Sequence, residues 1–80
     1  MRGMKMGKRL SESAQGKSYS VINIAGGRGA VRKLNNMGIV PGTDITVVQL
    51  SGSGPIVIEA RGTRLAIGRG MAEKVLVKEK

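Results

Sequence analysis

Cysteine, histidine, tryptophan and phenylalanine are absent from this chain of 80 residues, and Tyr19 is its one aromatic residue. Without cysteine there is no disulfide framework, and the chain fits a reducing compartment. Without histidine the usual general base, the neutral-pH switch and the commonest transition-metal ligand are all missing. The scarcity of aromatics removes the stacking platforms on which single-stranded nucleic acid is held. Acids are few as well. Glu12, Asp44, Glu59, Glu73 and Glu79 are spread along the chain in no recognisable pair. That inventory offers neither a general acid–base couple nor a hard-cation cluster, so the expectation is a non-enzymatic protein with no cofactor and no metal site. Long apolar runs are also absent. No stretch approaches the roughly 20 apolar residues of a membrane span, and the basic N-terminus lacks the apolar run of a signal peptide. A soluble, cytoplasmic protein is expected.

Positive charge is what the chain has in excess. Fourteen Lys and Arg stand against five acids, a formal charge of +9. Such a balance points to an anionic partner: nucleic acid, a membrane surface or an acidic protein face. Arg2, Lys5, Lys8 and Arg9 fall in the first nine residues with no acid among them. Residues 1–9 are therefore read as a basic, disordered arm and residues 10–80 as a single domain. Met1, Met4 and Met6 in this arm are soft thioethers suited to Cu(I), but a cluster of start-codon methionines on a loose arm is the preferred reading. The core must come from Val, Ile, Leu, Met and Ala, and a chain this short builds only a small one.

Along the chain, Ser11 is a candidate cap for one helical turn ended by Gly16. "YSVINI", Tyr19 to Ile24, is a β-rich run. In "AGGRGAVRKLNNMGIVPG" the residues Ala30, Val31, Leu34 and Met37 recur at helical spacing on one face, with Arg32, Lys33, Asn35 and Asn36 toward the other. Gly38 stands where a left-handed residue ends a helix, and Ile39 can fold back over Leu34 as its hydrophobic partner. "VPGT" predicts a type II turn. "DITVVQL" (Asp44 to Leu50), "IVIEAR" (Ile56 to Arg61), "RLAIG" and "KVLVKE" read as strands, with "RGMAE" a turn or brief helix. About five short strands and one short helix after the first favour a mainly β small barrel or sandwich.

The glycines before the helix raise the question of a phosphate cradle. In P-loop register from Gly27, Lys33 lands on the lysine position. However, Arg32 takes the second glycine position and Leu34 the position of the metal-binding hydroxyl. The dinucleotide pattern fails at Arg32 too, where a third glycine would allow close packing. The preferred reading is a tight strand-to-helix junction. Nucleic-acid binding is the main alternative function. Arg28, Arg32 and Lys33 on the helix, with Arg61, Arg64 and Arg69 around a turn, are candidates for one positive face, although no recognition-helix or zinc-finger pattern is present. A barrel with a helix across it also offers strand edges and a groove that can accept a segment of a protein partner.

Two blocks, "SVINIAGGRGAVRKLNNMGIVPGTDITVV" and "GPIVIEARGTRLAIGRGMAEKVLV", resemble the ferrous iron transport protein A family, the FeoA domain. The similarity runs from Leu10 to about Val77. Its most specific piece is "RKLNNMGIVPGTDITVV". One departure is Gly68, where the family more often has an Arg. The resemblance implies an SH3-like small β-barrel and an accessory role in ferrous iron uptake. The implied partner is the cytosolic portion of the FeoB membrane transporter. The candidate contact residues are Arg28, Arg32, Lys33, Met37, Ile39 and Pro41, with Arg61 and Arg64 expected nearby in the barrel.

Overall fold

The computed structural model describes residues 7–80. The expected disorder of the basic arm and the methionines Met1, Met4 and Met6 lie outside the described residues as far as residue 6.

Six strands form one antiparallel sheet: β1 (Lys8–Arg9), β2 (Ser18–Ile24), β3 (Asp44–Leu50), β4 (Ile56–Ala60), β5 (Thr63–Ile67) and β6 (Val75–Glu79). Their spatial order is β1-β6-β2-β3-β4-β5. Helix α1 (Arg28–Asn36) joins β2 to β3, and the four-residue α2 (Arg69–Ala72) joins β5 to β6. This is the mainly β, SH3-like small barrel expected, with one strand more than the five read from sequence. The extra strand is β1. Lys8 and Arg9 pair with Val77 and Leu76, so the ordered domain starts before Leu10. Two charged residues have no period to read, and the strand exists because β6 offers them a free edge. Leu10, fully buried, then anchors this end of the chain in the core. It starts a single 3-10 turn, Leu10–Glu12. Arg9 donates its backbone N–H to the Glu12 carboxylate at 3.2 Å, and the turn, capped at Arg9, begins two residues earlier than a Ser11 cap would allow. Gly16 does not end that turn. It lies in the next one, where its N–H reaches the Val47 carbonyl at 2.7 Å.

The core is aliphatic and alternates as a sheet requires. Ile45 and Val47 of β3, Ile56 and Ile58 of β4, and Val75 and Val77 of β6 are all buried. Two strands break the alternation in the same way. In β2 the register with β6 shifts between Val21 and Asn23. In β3 the register with β4 shifts between Val47 and Gln49. Strict alternation would drive Asn23 and Gln49 inward, where an unpaired amide costs roughly 1–3 kcal/mol. Each bulge inserts one residue, turns the amide out to solvent, and brings the next apolar residue, Ile24 or Leu50, against the core. Asn23 uses its Oδ1 to accept the Ile24 N–H at 2.8 Å. Ile22, left over at the first bulge, is the exposed large hydrophobic residue of the described chain, at 37%.

Tyr19 is fully buried. Its hydroxyl accepts the Ala14 N–H at 2.9 Å, tying the loop after the 3-10 turn to β2. Arg69 closes the other side. Its guanidinium donates to the carbonyls of Ser11 and Gly52, joining α2 to the 3-10 turn and to the β3–β4 loop.

Candidate functional site

The region singled out by sequence is built around α1. Ala25 donates to the Lys74 carbonyl at 2.6 Å, fixing the exit of β2 beside the entry to β6. Gly26 then takes a positive φ of 100°, and Gly27 starts the helix with no side-chain hydrogen bond at the N-cap. The glycines thus form the strand-to-helix junction expected of them.

The helix ends in a full Schellman motif. The N–H of Gly38 reaches the Asn35 carbonyl at 2.9 Å and that of Ile39 the Leu34 carbonyl at 2.9 Å, with Gly38 at a φ of 89°. Leu34 and Ile39, the apolar partners of the motif, are both fully buried. The type II turn follows at once. Thr43 donates to Val40 at 3.0 Å, and Gly42 holds a φ of 95°. The corner is also stitched to β2, with Val21 donating to Thr43 at 2.8 Å and Gly42 to Val21 at 2.7 Å.

This geometry sorts the eight candidate contact residues. Arg28 and Arg32, four residues apart, lie along one side of α1. They line an open cleft of about 510 Å³ with Gly26, Gly27, Val31, Asn35 and Asn36. Lys33 and Met37 lie on the adjacent side and line a smaller notch of about 200 Å³ with Ala66, Ile67, Gly68 and Met71. Pro41 is exposed at the corner. Ile39 has no surface to offer, because the cap motif consumes its side chain. Arg61 and Arg64 are exposed and lie toward the turn end of the β4–β5 hairpin. Arg61 occupies the β4–β5 turn at a φ of 55°, and Arg64 pairs in register with Glu59. The helix meets β5 at its opposite end, around Ala66 and Ile67. A β-strand advances about 3.3 Å per residue, so Arg64 stands about 7 Å along β5 from Ala66 and Arg61 farther still. Sequence reasoning missed Ala66, Ile67 and Met71 as neighbours of the helix. The signal available was Gly68, a small residue at an unexpected place.

The charges are unevenly settled. Glu79 pairs with Lys17 at 3.2 Å and Asp44 with Lys80 at 2.7 Å. The Lys80 ammonium, by hydrogen bond and by charge, holds the Asp44 carboxyl below the ordinary aspartate range. No acid lies on α1, and among the described residues Arg28, Arg32 and Lys33 enter no ion pair. Among those residues, too, no three of the His, Cys, Asp and Glu side chains cluster as metal ligands would. No described helix is long and apolar enough to cross a membrane.

Comparison with known proteins places this geometry. The family model described as the FeoA domain matches residues 8–79. A Methanocaldococcus jannaschii protein, named as a candidate Fe(2+) transport protein A, is 36% identical over 70 residues, 88% of this chain and 84% of its own. A crystal structure of an iron uptake regulatory protein, FeoA, superposes with a TM-score of 0.86 at 42% identity, over 95% of this chain and 100% of that one. The solution structure of a FeoA-like protein from Clostridium acetobutylicum gives 0.83 at 31% identity, covering 95% and 90%. A manganese-dependent transcriptional repressor shares the fold alone. Its TM-score is 0.88 at 16% identity, and the chain spans 44% of its length.

Proposed function

The chain belongs to the FeoA domain family, and from that premise we propose that it serves ferrous iron transport as a small cytosolic binding protein. Its partner in this reading is the cytosolic portion of a FeoB-type transporter, and its contact surface is the outer side of α1 with the Pro41 corner. The observation that carries the reading is the set of cations on α1, a helix with no acid of its own: Arg28, Arg32 and Lys33 stand exposed and, among the described residues, in no ion pair. Solvated cations held on a rigid element suit an acidic protein face. The donor inventory supports the same division of labour. The chain has no His or Cys, the side chains that grip a transition metal most readily, so the iron is the transporter's cargo and this chain's task is contact.

Titration of the isotope-labelled full chain with the transporter's cytosolic domain tests the proposal. The expected result is saturable shifts at α1 and the corner, weakened about tenfold or more by combined Arg28→Glu, Arg32→Glu and Lys33→Glu. No binding at tens of micromolar would sink it. The net charge of +9 supplies a second reading, nucleic-acid binding, and a DNA duplex titrated in parallel addresses it. Duplex binding that falls steeply with salt, with none to the transporter domain, would put that reading first.

A further inference from the structure

The notch between α1 and the β5–α2 junction is a different kind of surface from the cationic side of the helix. The buried Ile67 and the half-buried Met37 and Met71 line it. Both methionines also pack on the hydrophobic core beneath. Methionine is unbranched and polarizable, and it moulds itself to incoming apolar groups. Gly68 also lines the notch. Gly68 has an ordinary extended backbone, φ −60° and ψ 151°, so the conformation does not require a glycine. A Cβ built there meets nothing within 4 Å. The missing side chain therefore leaves space without relieving strain. Lys33 lines the notch, exposed and in no ion pair among the described residues, and Arg32 precedes it on the same helix.

We infer that this notch is an anchor pocket: it receives one large apolar side chain, of leucine or methionine type, from a partner segment whose flanking residues are acidic. The apolar lining supplies the affinity for the anchor. Lys33 and the neighbouring α1 cations supply the complementarity that selects acidic flanks, since a basic segment would meet like charge. The inference deepens the reading above and rests on it for the identity of the partner, but not for the chemistry of the pocket.

Two probes separate those questions. The full chain is prepared with ¹³C-labelled methionine methyl groups, so that Met37 and Met71 report from the notch. The first probe is the blocked pentapeptide Glu-Glu-Leu-Glu-Glu, with Glu-Glu-Ala-Glu-Glu as its control. The second is the transporter's cytosolic domain. The leucine peptide should shift both methyl signals saturably, and the alanine peptide should need about tenfold more to do the same. Gly68→Leu, which grows a side chain into the opening, should cost about tenfold in affinity or more. Lys33→Glu, an exposed change that leaves the fold alone, should weaken binding and decides the matter if Gly68→Leu does not fold. The inference is overturned if neither probe moves Met37 and Met71, if the alanine peptide does as well as leucine, or if both variants bind like the parent. Transporter-domain binding, with both methyl signals left in place by that domain and by the leucine peptide alike, overturns the pocket and keeps the proposed function. Peptide binding without transporter binding keeps the pocket and removes the proposed partner.

Discussion

At its C-terminal end α1 is held by two backbone hydrogen bonds, a left-handed glycine and two fully buried side chains. At its N-terminal end it has Gly27, which offers no side-chain cap, followed by Arg28 at the positive pole of the helix. Satisfied carbonyls and apolar burial stabilise the first end. Free N–H groups and a like charge weaken the second. The difference separates two tasks within nine residues. One end fixes where the helix sits on the barrel. The other keeps cations and unoccupied surface facing outward, a local disadvantage of the kind found at sites under functional constraint.

The comparison breaks most visibly at Leu34. Leu34→Ala empties a fully buried position under the cap and should cost about 2–5 kcal/mol, measured by urea unfolding; in a domain this small that is much of the total stability. Next comes Gly38→Val, which forces a β-branched residue to positive φ. A loss on the order of 1–2 kcal/mol is expected from the same measurement, and an unchanged midpoint would refute the cap. At the other end the sign reverses. Gly27→Asp supplies both a cap and a negative charge to the helix N-terminus, and should raise stability by a few tenths to about 1 kcal/mol while weakening any acidic partner. The smallest effect belongs to the paired side of the molecule. Lys80 lowers the folded-state pKa of Asp44 relative to the unfolded chain. The pair's contribution is therefore present above the ordinary aspartate range and lost as pH falls through the folded value. The carboxyl is largely exposed, so Lys80→Ala should move its NMR titration midpoint upward with little change in melting temperature.

Much of this end-to-end contrast was legible in the sequence. Gly38, Ile39 and the Pro41–Gly42 turn announced themselves because capping and turn chemistry are local. The strands from β3 to β6 were visible for the same reason, through alternation over five or more residues. The two bulges were not, because "YSVINI" and "DITVVQL" read as continuous strands until the partner strand shows that Asn23 and Gln49 must be turned outward. β1 was read as part of a charged arm, since its pairing depends on an edge formed some seventy residues later by β6. The candidate contact set suffered at the same level. Which cations lie on the helix follows from spacing, but the place of Arg61 and Arg64 toward the turn of the β4–β5 hairpin is a property of the sheet. The involvement of Ala66, Ile67 and Met71 is likewise set by how β5 runs past α1.

Tyr19 has a practical consequence. With no tryptophan in the chain, near-ultraviolet absorption, emission and circular dichroism all arise from one ring. That ring lies in the core with its hydroxyl bonded to a backbone amide. Those signals follow the state of the barrel interior and are blind to surface events at α1. A tryptophan-bearing partner excited at the red edge of protein absorption would therefore be seen against a dark background, and its own spectrum would report docking.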